Sequence, residues 1–133
     1  MRRFGVVLLM GMLVGGLLVA CGGENKPDNS RLIEAFAEGR TGVWVSGHGT
    51  VAQVFPVSGE DQRMLVRVDE GFSVLLRHRI GSSGPVPVSR GDLVAFHGRY
   101  EFHGGGGEML LTHADPAQPG GGGWVIHQGQ RYQ

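Results

Sequence analysis

The chain has 133 residues, with 12 basic and 12 acidic side chains and a single cysteine. It has no net charge and no run of like charge, so it lacks the basic field that draws a general binder to phosphates; no nucleic-acid partner is expected. One cysteine cannot make an internal disulfide, so the folded part must stand on core packing alone.

Residues 1–20 read as a lipoprotein signal peptide. Arg2 and Arg3 give a positive start, Phe4 to Ala20 is uncharged and strongly apolar, and Leu18-Val19-Ala20-Cys21 places small residues before the cysteine. That pattern predicts a diacylglycerol on Cys21, which becomes the mature N-terminus, and hence a periplasm-facing chain anchored to the outer or inner membrane. Gly22 in place of Asp favours the outer membrane in enteric-type sorting. The competing reading is a transmembrane anchor. Seventeen residues sit at the short limit for a span, and Gly5, Gly11, Gly15 and Gly16 weaken the helix. Without Arg2 and Arg3 the chain keeps 10 basic and 12 acidic residues, a net of −2.

Residues 21–30 are polar, contain Pro27, and form a tether. Leu32, Ile33, Phe36 and Ala37 recur at helical spacing, with Asn29 or Ser30 as N-cap and Gly39 as a stop; a short helix is expected over 31–40. Residues 41–133 make one domain by length.

From Val43 the pattern changes to period two. Val43, Val45, Gly47, Gly49 and Val51 share one face of a first strand, whose glycines permit a sharp bend. Met64, Val66 and Val68 are the inward set of a second strand. Phe72, Val74, Leu76, His78 and Ile80 are that of a third, opposite Ser73, Leu75, Arg77 and Arg79. Gly81 to Gly91, with Pro85 and Pro87, is a loop. Val94, Phe96, Gly98, Tyr100 and Phe102 face inward from a fourth strand, with His97, Arg99, Glu101 and His103 outward; Met109 to His113 returns as a fifth. Trp124-Val125-Ile126, beyond Gly120 to Gly123, is expected as a final edge strand or a clasp. Five strands with a long bent first one predict an all-β, five-stranded OB-like barrel, which closes its own edges; a small open sandwich is the alternative.

No Gly-x-Ser-x-Gly, phosphate-cradling loop or Cys/His zinc spacing occurs. The ligand-binding candidates are Arg99, Glu101, His103 and Trp124, on or near the outward face of the fourth and last strands. His113 and Asp115 alternate on one side of the fifth strand, where an imidazole and a carboxylate at i, i+2 can share a metal, or the carboxylate can orient the imidazole. With His78 and His127 they form the candidate metal set, zinc or another divalent ion. His78 has a competing reading as a hydrogen-bonded core histidine, and Trp124 one as a clasp aromatic.

Four motifs carry a resemblance. Gln62-Arg63-Met64-Leu65-Val66, Gly91-Asp92-x-Val94-x-Phe96-x-Gly98-x-Tyr100-Glu101, Thr112-His113-x-Asp115-Pro116 and Gly123-Trp124-Val125-x-His127-x-Gly129-x-x-Tyr132 resemble the bacterial domain of unknown function 3465 from about Val43 onward. The last two are the specific ones. In that family the fifth strand typically reads His-Trp-Thr-His-His-Asp-Pro. Here Leu110-Leu111-Thr112-His113-Ala114-Asp115-Pro116 replaces two histidines and the tryptophan, while His78, His113, Asp115 and His127 fall on family positions. The resemblance implies no activity.

The expected function is a non-enzymatic periplasmic binding or accessory module with no cofactor. Its partners would be the membrane, through the lipid, and an envelope protein, peptide or glycan. The alternative is a metal-binding protein or metal-dependent hydrolase using His78, His113, Asp115 and His127.

Overall fold

The computed structural model describes residues 27–133. The segment expected as a signal peptide, Cys21 and most of the expected tether lie outside the described residues. Helix α1 spans Ser30–Ala37, and seven strands follow: β1 Val43–Val54, β2 Asp61–Asp69, β3 Phe72–Arg79, β4 Leu93–Glu101, β5 Glu108–Leu110, β6 Trp124–His127 and β7 Gln130–Tyr132.

The first five strands close a barrel in the order β1-β2-β3-β5-β4, with β4 returning to β1. All pairings are antiparallel except β3 with β5. Closure settles the choice between barrel and sandwich. It depends on the length of β1, whose Val43–Thr50 half pairs with β4 while Thr50–Val54 pairs with β2. A register shift between Val51 and Gln53 and glycines at 47 and 49 let one strand serve both neighbours. A Cβ on Gly47 would run into Leu32 and Phe96, and one on Gly49 into Val66 and the Arg67 carbonyl.

Helix α1 packs against β1, with Leu32 over Gly47, and reaches Phe72 of β3 through Phe36. Asn29 occupies the N-cap position, yet its side chain makes no cap hydrogen bond. Its Oδ1 instead accepts from the His48 N–H at 2.8 Å and its Nδ2 donates to the His48 carbonyl at 3.1 Å, so the amide acts as one residue of a missing strand. At the other end Gly39 takes φ +65°, and the Gly39 and Arg40 N–H groups donate to Phe36 and Ala35 in a Schellman-type stop. Leu32 and Ala35 are buried, and Phe36 stacks on Phe72 with ring centroids 4.5 Å apart.

The alternation expected for the strands is the alternation observed. Met64, Val66, Phe72, Val74, Leu76, Val94, Phe96 and Tyr100 are buried, and Val68 is half-buried against them. Residues 81–91 contain no helix. Val86 seals that end of the barrel, held by Gln62, whose Nε2 donates to the Val86 carbonyl (2.7 Å) and whose Oε1 accepts its N–H (2.9 Å). Phe102 falls beyond β4, where it is exposed beside Phe36.

The fifth strand is shorter than its sequence suggests. Leu111 has φ +57°, which ends the ladder at Leu110, so His113 and Asp115 belong to the following loop and not to one strand face. The strand expected near the C-terminus is β6, which pairs with β4 through Ala95, Phe96 and His97; it is not the edge, because β7 pairs on its other side. Strand β5 pairs with β4 through Arg99, Tyr100 and Glu101, on the same edge. Strand β7, not anticipated, completes a hairpin through Gln128 and Gly129, both at positive φ as a two-residue type I′ turn requires.

Candidate functional site

Among the described residues the buried polar side chains are Gln62, His78, Thr112 and His127, and all lie toward the barrel end that carries the long loops. Each is tied to a neighbour. Gln62 holds Val86. His78 Nδ1 lies 2.9 Å from Thr112 Oγ1 and so fixes the segment after β5. His127 Nε2 lies 2.9 Å from Asp92 Oδ2, at the entry to β4. Burial pushes His78 down to about 4, only partly offset by its bond to Thr112, and nearby His113 pushes it the same way. His78 is therefore a neutral core imidazole at ordinary pH. A hydrogen bond from Ser89 and the His127 contact hold Asp92 below the usual carboxylate range.

The candidate metal set is not assembled. Asp115 uses Oδ1 to accept from the Ala117 N–H and shapes its own turn, while His127 is occupied with Asp92. His78 Nε2 and His113 Nδ1 are buried without partners, but they make two ligands. Among the described residues no three His, Cys, Asp or Glu side chains are grouped to hold an ion. Leu111 turns the chain out of the ladder before His113, so the strand-face geometry that the alternative reading relied on is absent.

The four ligand-binding candidates separate as well. Arg99 Nε and Glu101 Oε2 form an ion pair at 2.7 Å on the outer face of β4, a half-buried contact between neighbours of one strand face. His103 lies in the turn after β4, 3.8 Å from Glu108. Trp124 belongs to a different group. On the outer face, Ser46 and Trp124 both stand opposite His97, from β1 and β6 respectively. The rings of Trp44, His97 and Trp124 follow one another at centroid spacings of 5.8 Å, and the Arg131 guanidinium lies 5.0 Å from the Trp124 centroid. Both tryptophans of the chain stand in this column. Beside it is a cleft of about 330 Å³, lined by Ser46, His97, Gly120 to Gly123, Trp124, Arg131 and Gln133.

Ser46 Oγ is 2.7 Å from His97 Nδ1, within reach for a nucleophile and its base. Burial lowers the His97 pKa, so its ring is neutral. The rest of such a machine is missing among the described residues. No carboxylate hydrogen-bonds to His97, and the Gly121, Gly122 and Gly123 N–H groups beside it donate to Gln118, Pro119 and His113 within their own loop. The pair is a cross-strand hydrogen bond that sets the ring for stacking.

Ser46, Trp44, His97 and Arg131 were not grouped from the sequence. Their signal was present only in part: Trp44, Ser46 and His97 occupy outward parity on strands whose pairing the sequence does not specify.

Fold and site together define a small closed all-β barrel with an aromatic outer face and loops pinned by buried polar side chains. The chain belongs to the family described as Protein of unknown function (DUF3465), whose model matches residues 16–133. A comparison with curated proteins found no match.

Proposed function

We propose that the protein is a lipid-anchored, non-enzymatic binding module of the bacterial envelope, with the outer face of β1, β4 and β6 as its contact surface. The observation that carries this reading is the column Trp44–His97–Trp124 capped by Arg131 beside an open cleft. Tryptophan and arginine are enriched among the residues that contribute most to recognition surfaces: the indole offers a large rigid apolar area with a polar N–H, and the guanidinium a planar set of donors that also stacks on aromatic rings. The anchoring part rests on the uncharged run before Cys21 and the small residues that precede it.

Both tryptophans report on this face, so intrinsic fluorescence reads occupancy directly. Titration of the mature protein with soluble peptidoglycan fragments, envelope-derived peptides and lipid vesicles is expected to give a saturable change with one of these classes that Trp124→Ala abolishes. A flat response to every probe, with Trp124→Ala indistinguishable from the parent, would remove this face as a recognition surface.

A further inference from the structure

The barrel has two unlike outer faces. On β2 and β3 the outward positions include Arg63, Arg67, Arg77 and Arg79, and ion pairs join Arg63 and Arg77 to Asp61, Arg77 to Glu108 and Arg79 to Glu60. Paired charges dominate that face around the Leu65–Leu75 pair. The outer face of β1, β4 and β6 carries Leu93, Ala95, Ile126, Trp44 and Trp124, with Leu93 58% exposed. Arg131 stands at its margin, and Glu101 is ion-paired to Arg99. Among the described residues Leu93 is the most exposed large hydrophobic, and its outward position on β4 adds nothing to the barrel core.

The N-terminal segment enters on the apolar side. His48 stands on the same outer face, directly across the ladder from Ala95, which is itself opposite Ile126. Its Nδ1 donates to the Pro27 carbonyl at 2.7 Å, and Asn29 is fixed to the His48 backbone. The tether therefore leaves from one defined point of this face. Cys21 lies six links before Pro27, and at about 3.6 Å per residue an extended chain reaches roughly 20 Å. A lipid on Cys21 would hold the His48 side of the barrel within that distance of the bilayer.

We propose that the outer face of β1, β4 and β6 rests on the membrane surface, with Trp44, Trp124 and Leu93 at the headgroup boundary and Arg131 toward the lipid phosphates. This rests on the anchored reading above and names the occupant of the same face. Indole rings prefer this boundary, since one edge is apolar and the N–H is wet, and arginine carries its charge to the headgroups on an apolar stem. The lipid supplies attachment and the face supplies orientation, two weak signals that add.

The test uses full-length lipidated protein reconstituted in phosphatidylethanolamine–phosphatidylglycerol vesicles with brominated acyl chains. Tryptophan fluorescence is expected to shift to the blue and lose intensity relative to vesicles without bromine. Leu93→Glu and Arg131→Glu, both at exposed positions, are expected to restore intensity while leaving lipidation and circular dichroism unchanged. Unquenched tryptophans in the vesicle-bound parent would overturn the proposal. If those unquenched tryptophans still respond to a soluble glycan or peptide, the recognition face stands and only its occupant was wrongly assigned. Absence of lipid on Cys21 would also overturn it, because the reach from the bilayer would be lost.

Discussion

Gln62 and His78 stand opposite each other across the β2–β3 ladder, and each binds a different loop to the same end of the barrel. Gln62 makes both hydrogen bonds to the Val86 backbone in a buried setting. Gln62→Leu keeps the volume and removes both partners, leaving an N–H and a carbonyl unpaired. The expected loss is about 2–3 kcal/mol in chemical denaturation, because each buried orphan costs on the order of 1–3 kcal/mol. A change within about 0.5 kcal/mol would show that this loop is not held by Gln62.

His78 makes the fold acid-sensitive, with a defined sign. Its folded pKa, about 4, lies below the ordinary 6.5, so the unfolded chain takes up a proton first as the pH falls. The stability it protects is complete above about pH 6.5 and is lost between 6.5 and 4. That gap corresponds to roughly 3 kcal/mol. His97, also lowered by burial, acts in the same direction. His78→Gln is expected to shrink the stability difference between about pH 7.5 and pH 4.5 by roughly 2–3 kcal/mol, even if the variant is less stable throughout. An unchanged pH profile in the variant would mean that other groups drive the transition.

The strand parity is tested by a pair of neighbours. Leu76 is fully buried and Leu75 is half-buried, directly opposite Leu65 on the outer face. Leu76→Ala is expected to cost about 2–5 kcal/mol, as is Phe96→Ala, whereas Leu75→Ala should cost distinctly less and Arg67→Ala very little. Equal losses at 75 and 76 would place a covering layer over the β2–β3 face.

Anchoring is checked at Cys21, which lies outside the described residues. Cys21→Ser is expected to leave a precursor that no longer labels with palmitate. Palmitate incorporation equal to that of the parent would refute lipidation at this position.

The sequence alone determined the barrel's inward face. A period of two with β-branched and aromatic residues identifies which side of each strand is buried, and it marks Met64, Val66, Val74, Leu76, Val94 and Phe96 as inward. Family membership was legible too, since the Thr112-His113 and Gly123-Trp124 motifs are local strings. Three features were decided only in three dimensions. Leu111 adopts a positive φ that its side chain does not advertise, and this separates His113 and Asp115 from the strand that was to align them. β6 lies against β4, although more than twenty residues separate them, so the column from Trp44 through His97 to Trp124 exists only once those pairings form. Asn29 reads locally as a helix cap, yet the bend in β1 leaves a free strand edge that offers its amide two backbone partners. Parity is a property of one strand and can be read from it. Register between distant strands, and the use to which a buried polar group is put, depend on which neighbours closure of the barrel brings within a few ångströms.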